Sequence, residues 1–570
     1  MKSKYLLYIS FLVGSTIIAG CKKNYLGDGS LPEGQITEEQ VFGNDNYARG
    51  VLSNAYSNLM DRYSLDGNGA MQASGSDEAV NSNLNSSINI FNNGTWSATR
   101  TVDDVYSGMY QGLRKVNLFL VKAPGSAITP VAELTTTTAA DLTYSAQIAR
   151  LRGEAFFLRA MFHFELVERY GSAVLATRIF AQDEELNLPR NTFDQCVSSI
   201  LLDCDSAIAR LPLYTETWNT TNRGRATQTA AMALKARLLL YAASPQYNTT
   251  NDLTKWQKAA DAAKVIIDLG TGIHTLITPY NNIPLFGTVP YNKEVIFATQ
   301  ATNRNDIEQN NAPISYDGAL GRTNPTQEMV DAFEMKTTGR LITDPLSGYS
   351  EAAPYTNRDP RFDLIVFYNG RTYKSKTVDT YIGGKDGIGA NINATKTGYY
   401  LHKFFNDGVT WNQAANTTSR RPWVIFRYGE ILLNYAEALN EAQPGNADVL
   451  VKVNLLRTRA GIPALQTTSP TANGYVVNTK LDIRERIHNE RRVELCFEGH
   501  RFYDIRRWNE GSRFLNSPVT GMRITKNTNN TFSYQRFQAD TRVFANKNYL
   551  YPISQTELNR APALGQNPGY

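Results

Sequence analysis

Apolar positions recur at helical spacing in several long runs of this chain. Ile148, Leu151, Ala155, Leu158, Phe162 and Leu166 trace one face of a helix that Gly171 stops. Thr192 and Gln195 form a capping-box pattern, and the next stripe follows through Phe193, Val197, Ile200, Leu201, Cys204, Ile208 and Leu211 until Pro212. Residues 224–244 are alanine-rich (Ala226, Ala230, Ala233, Ala236), which lets a partner helix approach closely, and residues 256–269 supply its antiparallel mate. Residues 425–442 and 447–460 make a similar pair, punctuated by Gly461 and Pro463. Helical pairs of this kind cannot each bury a face alone, so stacking them predicts a solenoid-like scaffold.

One later stripe breaks the rule. Ile483 and Ile487 are continued by Glu490, Glu494 and Phe497, with Gly499 offering a C-terminal cap. Two carboxylates facing a core are costly unless paired, so arginines must meet them, from this segment or from a neighbouring helix. Between the helical runs lie long polar stretches without periodicity, at residues 75–100, 271–325 and 348–419. Loops this long in a compact protein are functional or disordered. Within the last, the apolar run of Leu364, Ile365, Val366 and Phe367 predicts a strand. The fold class is therefore mainly α, helical hairpins with long irregular loops and minor β.

The N-terminus changes where this scaffold belongs. Lys2 and Lys4 precede an apolar run at residues 5–19, then Gly20 and Cys21. That is a secretory leader, short of the roughly 20 residues that span a bilayer. Ile18-Ala19-Gly20-Cys21 reads as a lipobox, with cleavage before Cys21 and acylation there; several acyl chains anchor stably where one is marginal. Loss of the two leader lysines takes the formal charge from +5 to +3, because residues 1–20 hold no acid. Near-balanced charge without basic blocks argues against nucleic acid. Cys196 and Cys204, about 12 Å apart on one helix, are too distant for a disulfide, and with Cys496 they read as small core residues.

Catalytic signatures are missing. His163, His274, His402, His488 and His500 make no HExxH pair or Cys/His cluster, and no GxSxG elbow, P-loop or dinucleotide fingerprint appears. Residues 383–387 are glycine-rich but lack phosphate-loop spacing. Glu490 and Glu494, with Arg491 and Arg492 beside them, read as a satisfied structural charge network rather than an acid/base pair. No cofactor or metal is called for.

Three segments carry a family resemblance: NERRVELCFEGHRFYDIRRW (residues 489–508), RPWVIFRYGEILLNYAEALNEA (421–442) and YLYPISQTELNRAPALGQNPGY (549–570). They resemble the SusD/RagB family of outer-membrane nutrient-binding lipoproteins, named for the starch-utilisation system. The resemblance implies that the helical pairs are tetratricopeptide-like. It implies four parts: a leader (residues 1–20), a lipidated tether (21–45), an N-terminal SusD-like part (46–270) and a C-terminal RagB/SusD-like part (271–570). It also implies a non-catalytic protein on the outer membrane, facing the cell exterior, that captures an oligosaccharide and passes it to a SusC-like TonB-dependent transporter. Peptide capture, as in the RagB branch, and a substrate-independent lid or scaffold are the alternatives. Surface lipoproteins of these bacteria often carry acids after the lipidated cysteine, whereas Lys22, Lys23 and Asn24 follow here.

A sugar site wants an aromatic platform beside amides, carboxylates or guanidinium groups. Residues 87–100 offer Asn92, Asn93, Trp96 and Arg100, and Trp96 matches the position where starch-binding members place a stacking tryptophan. Asp77 lies just upstream in a segment, Ser76 to Ala79, that resembles a recurrent family motif. In the second loop Tyr280, Tyr291, Arg304 and Tyr316 have the right chemistry.

Overall fold

The computed structural model of the chain describes residues 36–181, 183–283, 290–412, 415–468 and 475–570. The leader and the lipidation site at Cys21 lie outside the described residues. Eight long helices form the frame: α1 (Asp45–Tyr56), α2 (Tyr106–Lys122), α3 (Tyr144–Tyr170), α4 (Phe193–Ile208), α5 (Gln228–Ala243), α6 (Leu253–Asp268), α7 (Tyr428–Ala442) and α8 (Asp448–Ala460). Each packs on the next, α1 through α8, in one continuous stack of hairpins. The chain leaves that stack after α6 and re-enters it at α7, which packs directly on α6. The described residues between them form an insertion of long loops, short strands and one- to two-turn helices.

Local chemistry sets these boundaries. Thr143 and Thr192 cap α3 and α4, the latter in a full capping box with Gln195. Gly171 and Gly461 take left-handed caps, with φ of 74° and 77°. The small side chains of Ala230, Ala233 and Ala236 are fully buried in α5, which is packed between α4, α6 and α7. Cys196, Cys204 and Cys496 are buried free thiols.

Strands are short and come in two-stranded pairs among the described residues. Those that matter are β1 (Ala79–Asn81), β2 (Val295–Ala298), β3 (Thr302–Arg304), β4 (Thr323–Pro325), β5 (Ser419–Arg421), β6 (Val424–Arg427) and the hairpin β7 (Val519–Lys526)–β8 (Phe532–Asp540). Two boundaries differ from the periodicity. Ile425 belongs to β6, paired with β2, and the α7 helix starts only at Tyr428. Leu364 and Ile365 end a one-turn helix, Pro360–Ile365, leaving only Val366–Phe367 as strand.

The charged stripe lies on α9 (Lys480–Glu494), which ends before the expected cap. Phe497 has left the helix at φ 62°, and Gly499, at φ 84°, opens the next helix, α10 (His500–Arg507), instead of closing α9. Side chains take the place of a glycine cap. Arg427 Nη2 donates to the Glu494 carbonyl at 2.7 Å, Tyr280 Oη at 3.0 Å, and Lys403 Nζ donates to the Cys496 carbonyl at 2.8 Å.

The arginines that meet this stripe come from all over the C-terminal half. Glu494 pairs with Arg427 (2.6 Å), Arg361 (3.0 Å) and Arg459; Glu490 pairs with Arg361 (2.6 Å) and Arg457 (3.4 Å). Arg427 also holds Glu294 (3.0 Å) and Glu498 (2.7 Å), Lys403 holds Glu498 (2.8 Å), and Glu334 holds Arg457 (2.8 Å) and Arg486. Asp359 completes the set on Arg361 at 2.8 Å. Arg361, Lys403, Arg427, Arg457, Arg459 and Arg486 thus face Glu294, Glu334, Asp359, Glu490, Glu494 and Glu498, six cations against six carboxylates, all with buried side chains.

Burial pushes the Glu494 carboxyl up, but Arg459, Arg427 and Arg361 outweigh it and hold it below the ordinary carboxylate range. Its stabilisation is therefore present above the unfolded carboxylate value and is lost as pH falls through the lowered folded one. Glu494→Gln leaves three buried guanidinium groups undercompensated and is expected to lower stability by about 3–5 kcal/mol. The check is a urea melt at neutral pH, where the midpoint should fall with the m-value unchanged; a midpoint within error of the parent's would remove Glu494 as a keystone.

Candidate functional site

The three long polar stretches converge on one face. β1, from the first, pairs antiparallel with β4 of the second, Ala79 opposite Pro325 and Asn81 opposite Thr323. β3 of the second pairs with β5 at the end of the third, Ser419 opposite Arg304. Arg322 sews the join: its Nε donates to the Asn68 carbonyl at 3.0 Å and its Nη1 to Asn393 Oδ1 at 3.0 Å. Asn324 Oδ1 accepts from the Lys396 backbone at 2.9 Å.

Around this join the surface carries amides and exposed apolar side chains, among them Asn85, Leu84 (69% exposed) and Ile392 (82% exposed). A second group sits where β3 and β5 end. Arg304 holds Asp306 at 2.6 Å and Asp61, with its guanidinium 4.7 Å from the Tyr63 ring centre. Beside it the side chain of Trp411 is half-buried; its Nε1 donates to the Asp317 carbonyl at 2.8 Å, and Lys374 Nζ stands 5.0 Å from its ring. Asn305 bridges to Asn416 on the same hairpin. A half-buried indole edged by amides, a guanidinium and an ammonium is the mixture that suits a sugar's apolar faces and hydroxyls.

Most of the residues selected from sequence lie elsewhere. Trp96 is 1% exposed, its ring boxed edge-on by Phe91 (4.8 Å), Tyr551 (4.7 Å) and Tyr570 (6.0 Å). Asn92 is buried and donates to the Ser74 carbonyl at 2.7 Å. Tyr280 is buried on the Glu494 carbonyl, and Tyr316 donates to the Tyr373 carbonyl at 2.6 Å. Asp77 is buried between Arg492 (2.9 Å) and Arg501 (2.8 Å). These five are corrected from ligand contacts to structural side chains, because in this conformation other protein groups cover them. Tyr291 is half-buried, with its hydroxyl on the Thr299 carbonyl at 3.3 Å. Asn93 and Arg100 are exposed, but Asn93 bridges to Val543 on the C-terminal segment, apart from the Trp411 group. Of the nine, Arg304 joins that group at the surface, and the buried Tyr316 belongs to the apolar cluster on which Trp411 packs. No motif marks Trp411 in the sequence, although Asn406, Asn412 and Asn416 flank it in the third polar stretch.

Burial raises the Asp306 carboxyl, and Arg304 more than offsets this, so it lies below the ordinary range. His163 is buried with both ring nitrogens satisfied, facing the Arg159 carbonyl (3.0 Å) and the Ala176 amide (3.1 Å), and burial lowers it to about 3. Among the described residues no group of three or more His, Cys, Asp or Glu is placed to hold a metal, and no helix is long and apolar enough to cross a membrane.

Beneath the face, Asp77 and Glu78 behave oppositely. Burial raises Asp77, but Arg492 and Arg501 pull it well below the ordinary range. Glu78 has only the Phe497 amide (3.0 Å) on one oxygen and no partner on the other, so burial pushes it up to about 8. A carboxyl with a raised folded value binds its proton in the folded chain while the unfolded chain has released it, so stability falls as pH climbs from the ordinary value to about 8. Glu78→Gln should be near-neutral at pH 5 and stabilising at pH 9. Chemical melts of both proteins at the two pH values test this, and a pH-independent difference would refute the protonated carboxyl.

Comparison with known proteins fits this architecture. A profile described as the SusD family matches residues 293–570, and one described as "Starch-binding associating with outer membrane" matches residues 46–240. SusD-like protein P2 of Formosa agariphila is 24% identical over 434 residues, which cover 74% of this chain and 75% of that protein. A SusD-like protein of Bacteroides fragilis superposes with a TM-score of 0.76 at 27% identity, covering 95% of this chain and 100% of that one. A SusD-like carbohydrate binding protein of the same species superposes at 0.74 with 23% identity, covering 92% and 100%.

Proposed function

The chain belongs to the SusD/RagB family, and from that premise we propose that it is a non-catalytic glycan-capturing lipoprotein of the outer membrane. In this reading Cys21 carries the lipid anchor, the protein faces the cell exterior, and captured oligosaccharide passes to a SusC-like TonB-dependent transporter. The observation that carries the capture role is the half-buried Trp411 side chain, set among Asn305, Asn416, Arg304 and Lys374 where the second and third loops join. Stacking on the indole supplies affinity for a pyranose C–H face, and the amides supply directional contacts to its hydroxyls. Residues 46–270 and 271–570 act as one body, a reading supported by the packing of α7 on α6 across the loop insertion.

Calorimetric titration of the chain without its leader and lipidated cysteine, residues 22–570, with a panel of oligosaccharides and peptides tests this. The expected result is saturable binding to one glycan class, weakened about tenfold or more, ~1.4 kcal/mol, by Trp411→Ala at an unchanged melting temperature. Unaltered affinity in that variant removes Trp411 from the site, and binding of peptides alone transfers the protein to peptide capture. Cys21→Ser should move the protein from the membrane pellet to the soluble fraction; retention in the pellet would remove the lipid anchor.

A further inference from the structure

A second concavity lies away from the loop face. It is a cleft of about 720 Å³ between α2, the segment that follows α3, and the C-terminal helix α11 (Gln555–Arg560). That volume is in the range of small-ligand sites. Tyr106 and Tyr110, one turn apart on α2 with ring centres 4.7 Å apart, form one wall. Phe180, Leu186 and Leu188 form the facing wall, and Leu186 remains 54% exposed.

The polar atoms of the floor are already satisfied by protein. Tyr110 Oη donates to the Val174 carbonyl and accepts from the Val174 amide, both at 3.0 Å. Asn117 Nδ2 donates to the Ala176 carbonyl (2.7 Å) and the Arg178 carbonyl (3.1 Å), while its Oδ1 accepts from Arg159 at 3.1 Å. A sugar reaching the floor would find the Tyr110 and Asn117 groups already occupied, so the floor favours an apolar body.

The rim selects charge. Arg178 is tied to Glu184 (2.8 Å) and lies 4.2 Å over the Phe180 ring. Arg560 is tied to Glu557, three residues earlier on α11, at 3.2 Å. Arg114, exposed on the same face of α2 four residues beyond Tyr110, has no ion pair or hydrogen bond from its side chain among the described residues. We propose that this cleft binds a free amphiphilic carboxylate, an apolar chain or ring lying along the Tyr106–Tyr110 wall with its carboxylate on Arg114. The site is separate from the glycan face and stands whether or not that face binds sugar.

Decanoate and its neutral counterpart 1-decanol are the probes, titrated into the same leaderless chain, residues 22–570, with displacement of 1-anilinonaphthalene-8-sulfonate as the fluorescence readout. One-to-one saturable displacement by decanoate is expected, with 1-decanol at least tenfold weaker. Arg114→Gln should weaken decanoate about tenfold while leaving 1-decanol unchanged, and Leu186→Glu should abolish decanoate binding. Both positions are exposed, and an unchanged melting temperature confirms that each variant is folded. The proposal is overturned if decanoate shows no saturable binding. It is equally overturned if both variants bind decanoate like the parent, or if decanoate and 1-decanol bind alike.

Discussion

The C-terminal half of this protein is organised by a buried layer of charge. Arg427 stands at its centre, in contact with Glu294, Glu494 and Glu498, and every other member is reached from it through ion pairs. A single unpaired charge in such a place would be prohibitive, so the layer exists only when all its contributors arrive together. Those contributors are far apart in sequence. Glu490 and Glu494 come from α9, Arg457 and Arg459 from the end of α8, and Arg427 from the end of β6. Glu294, Glu334, Asp359, Arg361 and Lys403 come from the long insertion between α6 and α7. Neutralising the layer therefore also positions the loops.

This explains how long segments of irregular chain can present a defined surface. Backbone pairing in the loops is sparse, since β1–β4 and β3–β5 contribute only three residue pairs each. Isolated two-stranded ribbons of that length are marginal in water. Charges anchor them instead. Asp77 at the foot of β1 is clamped by Arg492 and Arg501, and Arg542 donates to the Ala79 carbonyl at 2.6 Å. Arg421 in β5 holds the buried Glu308 at 2.7 Å. The surface above these anchors, with Trp411 and the asparagines, can vary without disturbing them.

Much of the frame was legible in sequence because it is local. The helices from α3 to α8 announce themselves by a 3.6-residue stripe, a Thr cap or a terminal glycine, and each of those signals acts within one or two turns. The acidic stripe of α9 was legible for the same reason, as a demand for arginines, although their addresses were not. What failed was whatever depended on distant partners. Gly499 looked like a helix cap because the side chains that close α9, Arg427, Tyr280 and Lys403, lie 67 to 214 residues away. Trp96 looked like a ligand platform because the rings that enclose it include Tyr551 and Tyr570, at the other end of the chain. Trp411 is unmarked because its placement depends on a hairpin packed against Asp317 and Lys374, which no periodicity marks.

A hydrophobic layer of equal volume would have stabilised the fold as well or better, since buried ion networks seldom improve on apolar packing. Their distinctive property is selectivity among arrangements. An apolar core tolerates a loop that slips by one residue, because one methyl group replaces another at small cost. The charge layer does not: moving Arg361 by one position would strand Asp359 and take one partner each from Glu490 and Glu494. For a protein whose binding face is carried on long loops, a core that penalises wrong register is more useful than one that merely adds stability. The same reasoning accounts for where apolar packing was retained. The α1 to α6 stack has registers already set by helix geometry, and there the core is built largely of Leu, Phe and Ala side chains, with buried charges in smaller groups such as Arg169 with Asp103, Glu165 and Glu168.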